Sequence, residues 1–257
     1  GMSISVAAVF ILFYNKIFSV PFDANKAKGN RWFLRTLHFS HQKTFSLSQA
    51  PYNGWCVAPD FFDFYTDDDI RKKIFLYGQQ YDASGNPMIY NGVNVVLDPY
   101  GFNAFDVGGA DDKGRLVGAR CIKYYPDKDA IGGWANNDFV VFRYADVLMM
   151  KAEALLRQGK ELSTAVELMN QIRSRAFPNN PEMLFTTATL NLESLYEERG
   201  RELIWEMHRR VDMIRFGKFE DPMLFKPSTK GEEYRRIFPI PTSVLASNPN
   251  LDQNTGY

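Results

Sequence analysis

Hydrophobic and polar positions follow two different rhythms along this chain. From Val141 onward the apolar residues recur at helical spacing. Val141, Tyr144, Leu148, Ala152 and Leu155 succeed one another at i+3 or i+4. That spacing predicts a helix capped by Asn137 or Asp138 and closed by Gly159 at C′. Leu162, Ala165, Val166, Met169 and Ile172 share the face of a second helix. Thr164 and Glu167 have capping-box spacing, and Pro178 stops the helix after Phe177. The short join between the two predicts an antiparallel helical hairpin, the size of one tetratricopeptide-type unit.

A third helix is expected over about Asn191–Phe216. At about 100° per residue, Tyr196, Leu203, Met207 and Ile214 form one stripe, with Val211 at its edge. Trp205 and Phe216 lie opposite, so this helix is expected to be internal and packed on both sides. Arg199, Glu202, Glu206 and Arg210 run beside the stripe at i+3 and i+4, as an ion-pair ladder.

Before Asn137 that rhythm is missing. Residues 23–60 and 82–137 are punctuated by Gly, Pro, Asn and Asp, with aromatic residues between the breakers. Short strands are expected at Ile17–Val20, Ile74–Tyr81, Val93–Leu97 and Cys121–Tyr125. Asp60–Lys73 reads as a short helix and an acidic turn, and Gly108–Gly114 as a turn. After Phe216, the prolines at 222, 227, 239 and 241 exclude long regular elements. The expected fold is mostly α, with tetratricopeptide-like helices packed against a loop-rich lobe with minor β. It forms one domain over 1–257: a loop-rich aromatic lobe (1–136), a helical part (137–221) and an irregular tail (222–257).

Composition narrows the function classes. With 45% hydrophobic and 23% charged residues the chain is globular. Thirty basic and thirty acidic side chains give a net charge of zero, which argues against nucleic acid as a partner. Two cysteines, Cys56 and Cys121, are too few for a disulfide framework; one bridge and two free thiols are both open. The apolar stretch within Ser3–Val20 is too short to span a bilayer and reads as a buried structural segment. Aromatics reach 15%, which suits a large core and also suits stacking on sugar rings.

Candidate chemistry is sparse. Glu197, Glu198, Glu202 and Glu206 invite comparison with a glycosidase, which needs two carboxylates at a fixed separation. Each has an arginine within one turn, so structural ion pairs are the expected role. His38 and His41 have the spacing of a metal pair but lack an obvious third ligand. His208 reads as a structural hydrogen-bonder. The acidic clusters Asp67–Asp69 and Asp111–Asp112 match no EF-hand loop and read as solvated turns. Nucleophile-elbow, phosphate-loop and dinucleotide motifs are absent from the sequence. No catalytic residue, metal or cofactor is expected.

The second half resembles the C-terminal portion of the SusD/RagB family, outer-membrane nutrient-binding proteins of Bacteroidetes. The resemblance rests on four motifs in order. They are Arg143-Tyr144-Ala145-Asp146 with Ala152-Glu153-Ala154; Asn170-Gln171-Ile172-Arg173 with Arg175-Ala176; Glu198-Arg199 with Arg201-Glu202-Leu203 through Gly217; and Phe238-Pro239-Ile240-Pro241 with Asn248-Pro249-Asn250-Leu251. Tyr52-Asn53-Gly54-Trp55, Phe61–Tyr65, Asp69-Ile70-Arg71 and Lys16–Asp23 extend it to about residues 15–257.

The resemblance implies a SusD-like fold and a non-catalytic protein. Such a protein captures an oligosaccharide, polysaccharide or other small nutrient at the cell surface and delivers it to a SusC-like TonB-dependent transporter in the outer membrane. It also implies a lipid anchor, for which neither cysteine of this chain has the context, and a longer protein of which this chain reads as a fragment.

The residues best suited to a glycan are aromatics in loops, which offer a ring face to sugar C–H groups. Trp32, Tyr52, Trp55, Tyr81, Tyr90, Tyr100 and Trp134 lie in such segments, although core packing is the commoner fate of any one of them. Trp55 belongs to a family-like motif and is read as structural. Trp32, Tyr90, Tyr100 and Trp134 are the expected ligand-binding residues. Three readings remain open. A glycan binder predicts exposed, roughly coplanar rings in one concave patch. An interaction scaffold without a glycan site predicts an exposed apolar face on the helices. A glycoside hydrolase predicts two carboxylates facing each other across a cleft.

Overall fold

The computed structural model describes residues 16–26, 28–101 and 116–257. The Gly108–Gly114 turn, with its acidic pair Asp111–Asp112, and most of the N-terminal apolar stretch lie outside them. Strand β1 (Lys16–Val20) comes first, followed by helices α1 (Trp32–Thr36), α2 (His41–Thr44) and α3 (Pro59–Phe62) and a 3₁₀ turn over Ile70–Ile74. Six two-residue strands follow: β2 (Phe75–Leu76), β3 (Gly78–Gln79), β4 (Ile89–Tyr90), β5 (Val93–Asn94), β6 (Val96–Leu97) and β7 (Arg120–Cys121). Strand β8 (Phe139–Arg143) leads into α4 (Tyr144–Gln158), α5 (Leu162–Ala176), α6 (Leu192–Glu202) and α7 (Arg209–Arg215). Short α8 (Thr242–Ser247) lies in the tail.

The strands pair antiparallel in twos, as β1–β8, β2–β7, β3–β6 and β4–β5. The β4–β5 hairpin turns through Asn91 and Gly92, both at positive φ (49° and 79°), the backbone that a two-residue Asn-Gly turn requires.

The helical hairpin has the expected stop at Gly159, which takes φ 63° as its αL cap. Its start differs. Residues 139–143 form a strand, because they pair with β1 across the lobe, and Arg143 is still extended when α4 begins. Tertiary pairing here overrides the helical period. The Thr164–Glu167 box is unused, since α5 begins from Glu161. A capping box closes instead between Asn191 and Ser194, at the start of α6.

Buried residues fall into three groups. Met149, Ala152, Ala165, Met169, Ile172 and Leu195 fill the space between α4, α5 and α6. Leu34, Leu37, Leu97, Ile122 and Ala135 form the core of the loop lobe. Val57, Phe62, Tyr65, Phe75, Cys121 and Ile204 join lobe to helices. Cys56 and Cys121 are free thiols, and burial pushes the Cys121 thiol up to about 12.

The expected third helix is two helices. α6 ends at Glu202, and α7 resumes at Arg209. Between them Trp205 and Met207 adopt left-handed backbone, at φ 63° and 64°. For a bulky L-residue this costs roughly 1–2 kcal/mol each. The ion-pair ladder is therefore not one. Glu202 bonds Arg143 (2.6 Å) and Arg71 (3.0 Å), and Glu206 bonds Arg143 (2.7 Å) and Lys123. Arg199 spans Asp146 (2.9 Å) and Asp212 (2.8 Å). Arg210 meets no carboxylate among the described residues; it donates to the carbonyls of Arg235 and Arg236. The unwinding at 203–208 separates Glu206 from Arg210, while Arg199 and Glu202, both on α6, are each taken by partners from other segments.

The unwinding is clamped by side chains from the lobe. The last carbonyls of a helix lack intrahelical partners. Tyr65 donates to the carbonyl of Arg201 (2.8 Å), Arg143 to that of Glu202 (2.7 Å), and Lys123 to those of Glu202 (2.8 Å) and Ile204 (3.0 Å). Cations at this end also oppose the helix dipole. Glu198 sits one turn earlier, bonded to Arg71 (2.8 Å), Arg173 (2.7 Å) and Arg201 (3.1 Å). Burial alone would raise the Glu198 carboxyl, but these arginines hold it at about 2. Glu202 stands at about 2 by the same balance, set by Arg143, Arg71 and Arg175.

This arrangement sets three expected outcomes. Arg199→Ala leaves Asp146 buried without its arginine and should lower stability by about 3–5 kcal/mol in denaturant unfolding. Met207→Gly, which removes a left-handed Met that is 66% exposed, should cost nothing or stabilise by about 1 kcal/mol. Val211→Gly, inside α7, should cost about 1 kcal/mol. Equal losses at both sites would contradict the strain. Acid should destabilise the fold in two steps. Burial lowers His41 from 6.5 to about 3, so its unfolded form takes up a proton first and stability falls as pH drops below 6.5. Glu198 and Glu202 add their loss from 4.5 down to about 2. A melting temperature flat from pH 7 to pH 4.5 would contradict the first step.

Candidate functional site

The break between α6 and α7 presents Trp205 and Met207 toward the start of α1. There Trp205 meets Trp32 edge-on at 5.5 Å, and Trp32 meets Trp55 at 5.6 Å with the rings tilted by 51°. Behind Trp32, Tyr124 and Phe139 stack at 20° and 27° and fix the indole plane. Each ring is set by a different segment: Trp32 opens α1, Trp55 precedes α3, and Trp205 occupies the unwound turn.

Two hollows open around these rings. The larger, about 600 Å³, is lined by Trp32, Trp55, Phe61, Leu203, Trp205 and Met207, with Arg199, Arg209, Arg210 and Asp212. The smaller, about 360 Å³, is lined by Phe22, Asn30, Arg31, Trp32, Arg35, Trp55, Phe139 and Met207. Trp32, Trp55 and Met207 belong to both, so the hollows form one groove with a shared wall. The groove is apolar at its floor and edged by arginine. Arg35 lies over the rings of Tyr52 (5.5 Å) and Trp55 (5.6 Å), and Arg209 lies over Tyr196 at 4.0 Å. Asp212, the carboxylate in its lining, is held by Arg199 and Arg215 at 2.8 Å each.

Chemically, a corner of tilted indoles with guanidinium edges can hold a flat-faced polar molecule by stacking and hydrogen bonding. Among the described residues it offers no pair of free carboxylates facing each other. The rings are tilted and edge-on, not coplanar as expected, because each is positioned by its own loop.

Of the four expected ligand-binding residues, Trp32 alone lines this groove. Trp134 lies beneath Arg31, whose guanidinium is 3.8 Å from its ring, so it supports the groove's edge. Tyr90 packs in β4 against His38 (5.0 Å) and Phe39 (5.7 Å). Tyr100 is 57% exposed, donates to Asp63 Oδ1 (2.7 Å), and shares the edge of Phe62 with exposed Tyr77. Tyr90 and Tyr100 thus belong to other faces of the lobe. Trp55 and Trp205 are not among the expected ligand-binding residues. Trp55 is 44% exposed at the groove wall. The one sequence signal for Trp205 is that it and Ile204 are bulky apolar neighbours off the helical stripe.

The other candidates resolve as structure. His38 and His41 are buried, with rings edge-on at 6.3 Å, and His41 pairs with Gln80 at 3.1 Å. Among the described residues no cluster of three His, Cys, Asp or Glu is arranged to hold a metal. Asp69 is buried against Arg71, and Asp67 pairs with Lys72. Among the described residues no helix is long and apolar enough to cross a membrane.

Comparison with known proteins places this geometry in a family. Residues 15–257 match the model of the SusD family. The starch-binding protein SusD of Bacteroides thetaiotaomicron is 30% identical over 131 residues, covering 48% of this chain and 22% of that protein. Among solved structures, a SusD superfamily protein from Parabacteroides distasonis superposes with a TM-score of 0.67 at 23% identity, over 94% of this chain and 50% of that one. Surface glycan-binding protein A from Bacteroides thetaiotaomicron, in complex with laminarihexaose, superposes with a TM-score of 0.60 at 18% identity, over 95% of this chain and 54% of that one. The chain thus spans about half the length of the proteins it matches along most of its sequence. With the helical hairpin, the loop lobe and nearly the whole sequence matched, this chain belongs to the SusD family.

Proposed function

We propose that this chain is part of a non-catalytic, cell-surface glycan-binding protein. It captures an oligosaccharide in the groove around Trp32 and passes it to a TonB-dependent transporter of the SusC type in the outer membrane. The observation that carries this reading is the groove itself. Two tryptophans form its wall, a third on strained backbone stands edge-on to Trp32 and tilted by 42° to Trp55, and its lining carboxylate is already paired with arginine. Stacking surface with polar edges suits capture of a sugar. A hydrolase would need a second, free carboxylate across the cleft. Two relatives support the ligand class: one is named for starch, and another holds laminarihexaose. In this reading Trp32, with Trp55, meets the sugar, while Trp134 supports the edge. Tyr100, beside Tyr77, offers a second aromatic ledge on another face, and Tyr90 braces the lobe.

An exposed apolar stripe favours a protein contact as well. Tyr144, Val147 and Met150 recur at i+3 on α4, and Phe142 and its strand partner Phe18 continue the stripe onto the ribbon. Soluble surfaces rarely leave such a run uncovered. We assign the protein partner to this stripe, either the transporter or the remainder of a longer chain. A scaffold without a glycan site would use the same stripe and leave the groove empty.

Affinity electrophoresis through gels containing starch, laminarin and other polysaccharides tests the glycan reading, on this chain and on a longer one. Trp55→Ala should weaken retention by about 2 kcal/mol and change stability by no more than about 1 kcal/mol. Failure of both proteins to be retained by any polysaccharide would overturn the reading in favour of the scaffold.

A further inference from the structure

The groove carries more positive charge than a neutral sugar needs. Arg31 and Arg35 line its smaller hollow, and Arg209 and Arg210 its larger one. Among the described residues none of these four faces a carboxylate at ion-pair distance. Arg31 donates to the carbonyl of Gly132 (2.9 Å) and lies over Trp134. Arg35 lies over Tyr52 and Trp55. Arg209 lies over Tyr196 and donates to its carbonyl (3.3 Å). Arg210 donates to the carbonyls of Arg235 and Arg236 and lies 4.4 Å from the ring of Phe238. The lining carboxylate, Asp212, is shared between Arg199 and Arg215.

This contrasts with the rest of the molecule. The chain as a whole is neutral, and the buried arginines of the clamp are matched to acids. In the groove lining Arg199 is still matched to Asp146 and Asp212, but Arg31, Arg35, Arg209 and Arg210 have no such partner among the described residues. Stacking on aromatic rings pre-orients these guanidinium planes without neutralising them. A low-dielectric floor strengthens the attraction of such guanidinium groups for an anion. The planar guanidinium fork fits a carboxylate or a sulfate in a bidentate way.

We infer that the ligand of this groove is an acidic glycan, bearing uronate carboxylates or sulfate esters along the sugar backbone. The inference rests on the glycan-binding reading and adds the charge class of the sugar. The aromatic corner takes a sugar face, and the arginines on both sides of Trp32 and Trp55 take the anionic groups of that residue and its neighbours.

The test is a glycan array in which neutral, uronate-containing and sulfated oligosaccharides are printed on matched backbones. It is followed by titration calorimetry on the best acidic member and its neutral counterpart. The acidic member should bind roughly tenfold tighter or more at low ionic strength, and the gap should shrink as salt is raised. Whether the uronate or the sulfate arm leads decides which anion the groove takes. Arg35→Gln should reduce the ratio of acidic to neutral affinity by roughly tenfold, whatever it does to the neutral member alone. Arg35→Lys, which keeps the charge and loses the fork, should fall between. Equal binding of neutral and acidic members would overturn the inference and leave the glycan-binding reading standing. A preference for acidic sugars that survives Arg35→Gln and Arg210→Gln would also overturn it, by placing the anion elsewhere. Retention of no glycan of any charge would overturn both.

Discussion

The structure depends on one clamp, the binding of Glu202 and Glu206 and the adjoining carbonyls by Lys123 and Arg143. Both cations come from the loop lobe or its boundary with the helices. Lys123 reaches over 79 residues of sequence to the carbonyl of Glu202, and Arg143 over 59. Their charges neutralise Glu206, which would otherwise be buried alone, and join Arg71 and Arg175 in neutralising Glu202, while their protons satisfy the carbonyls of Glu202 and Ile204 at the end of α6. The same contacts stop the helix. They offset the cost of two left-handed residues, and Trp205 and Met207 are turned into the groove. Charge pairing, helix termination and presentation of the candidate site are therefore one event.

Much of the helical half is legible in the sequence because its cause is local. The apolar spacing of Leu148, Met149, Ala152 and of Ala165, Met169, Ile172 is a property of neighbouring residues, and Gly159 and Pro178 end the helices by their own backbone limits. The third helix misleads for the opposite reason. Helical spacing continues unbroken from Tyr196 to Ile214, and nothing local forbids a continuous helix. The interruption is imposed by lysine and arginine from segments far upstream. Likewise Phe139–Arg143 shares helical spacing with the residues of α4, yet the partner strand β1 lies more than a hundred residues earlier and takes it into a ribbon. A periodic pattern reports what a segment can do alone; it is silent on a distant partner that offers something better.

The candidate site shows the same limit in sharper form. Trp32 is identifiable as a loop aromatic with ligand potential. Trp55 stands in a recurring motif, which points to a structural role, although a motif residue can be both packed and exposed. Trp205 is hidden inside a helix that does not exist. Tyr90, Tyr100 and Trp134 satisfy the same local rule as Trp32, being aromatics among turn-forming residues. Which of them share a surface depends on how short ribbons fold the lobe, and two-residue strands leave almost no sequence trace. Composition is informative about the presence of aromatic faces and uninformative about their assembly.

Arginine plays opposite parts in the clamp and at the groove. In the clamp network Arg71, Arg143 and Arg199 are buried against acids, and the balance of burial and charge keeps Glu198 and Glu202 ionised far below the usual carboxylate range. At the groove the guanidinium groups rest on rings and carbonyls, which orient them while leaving their charge available. The first arrangement has its counter-ions built in and gains rigidity from them. The second is rigid for another reason, the aromatic stacking, and so can hold a surplus of charge in place until a ligand supplies the counter-ion. Net neutrality of the chain conceals this division. Thirty cations and thirty anions balance over the sequence, but the fold consumes acids in its interior and leaves arginine at the mouth of the tryptophan-lined groove.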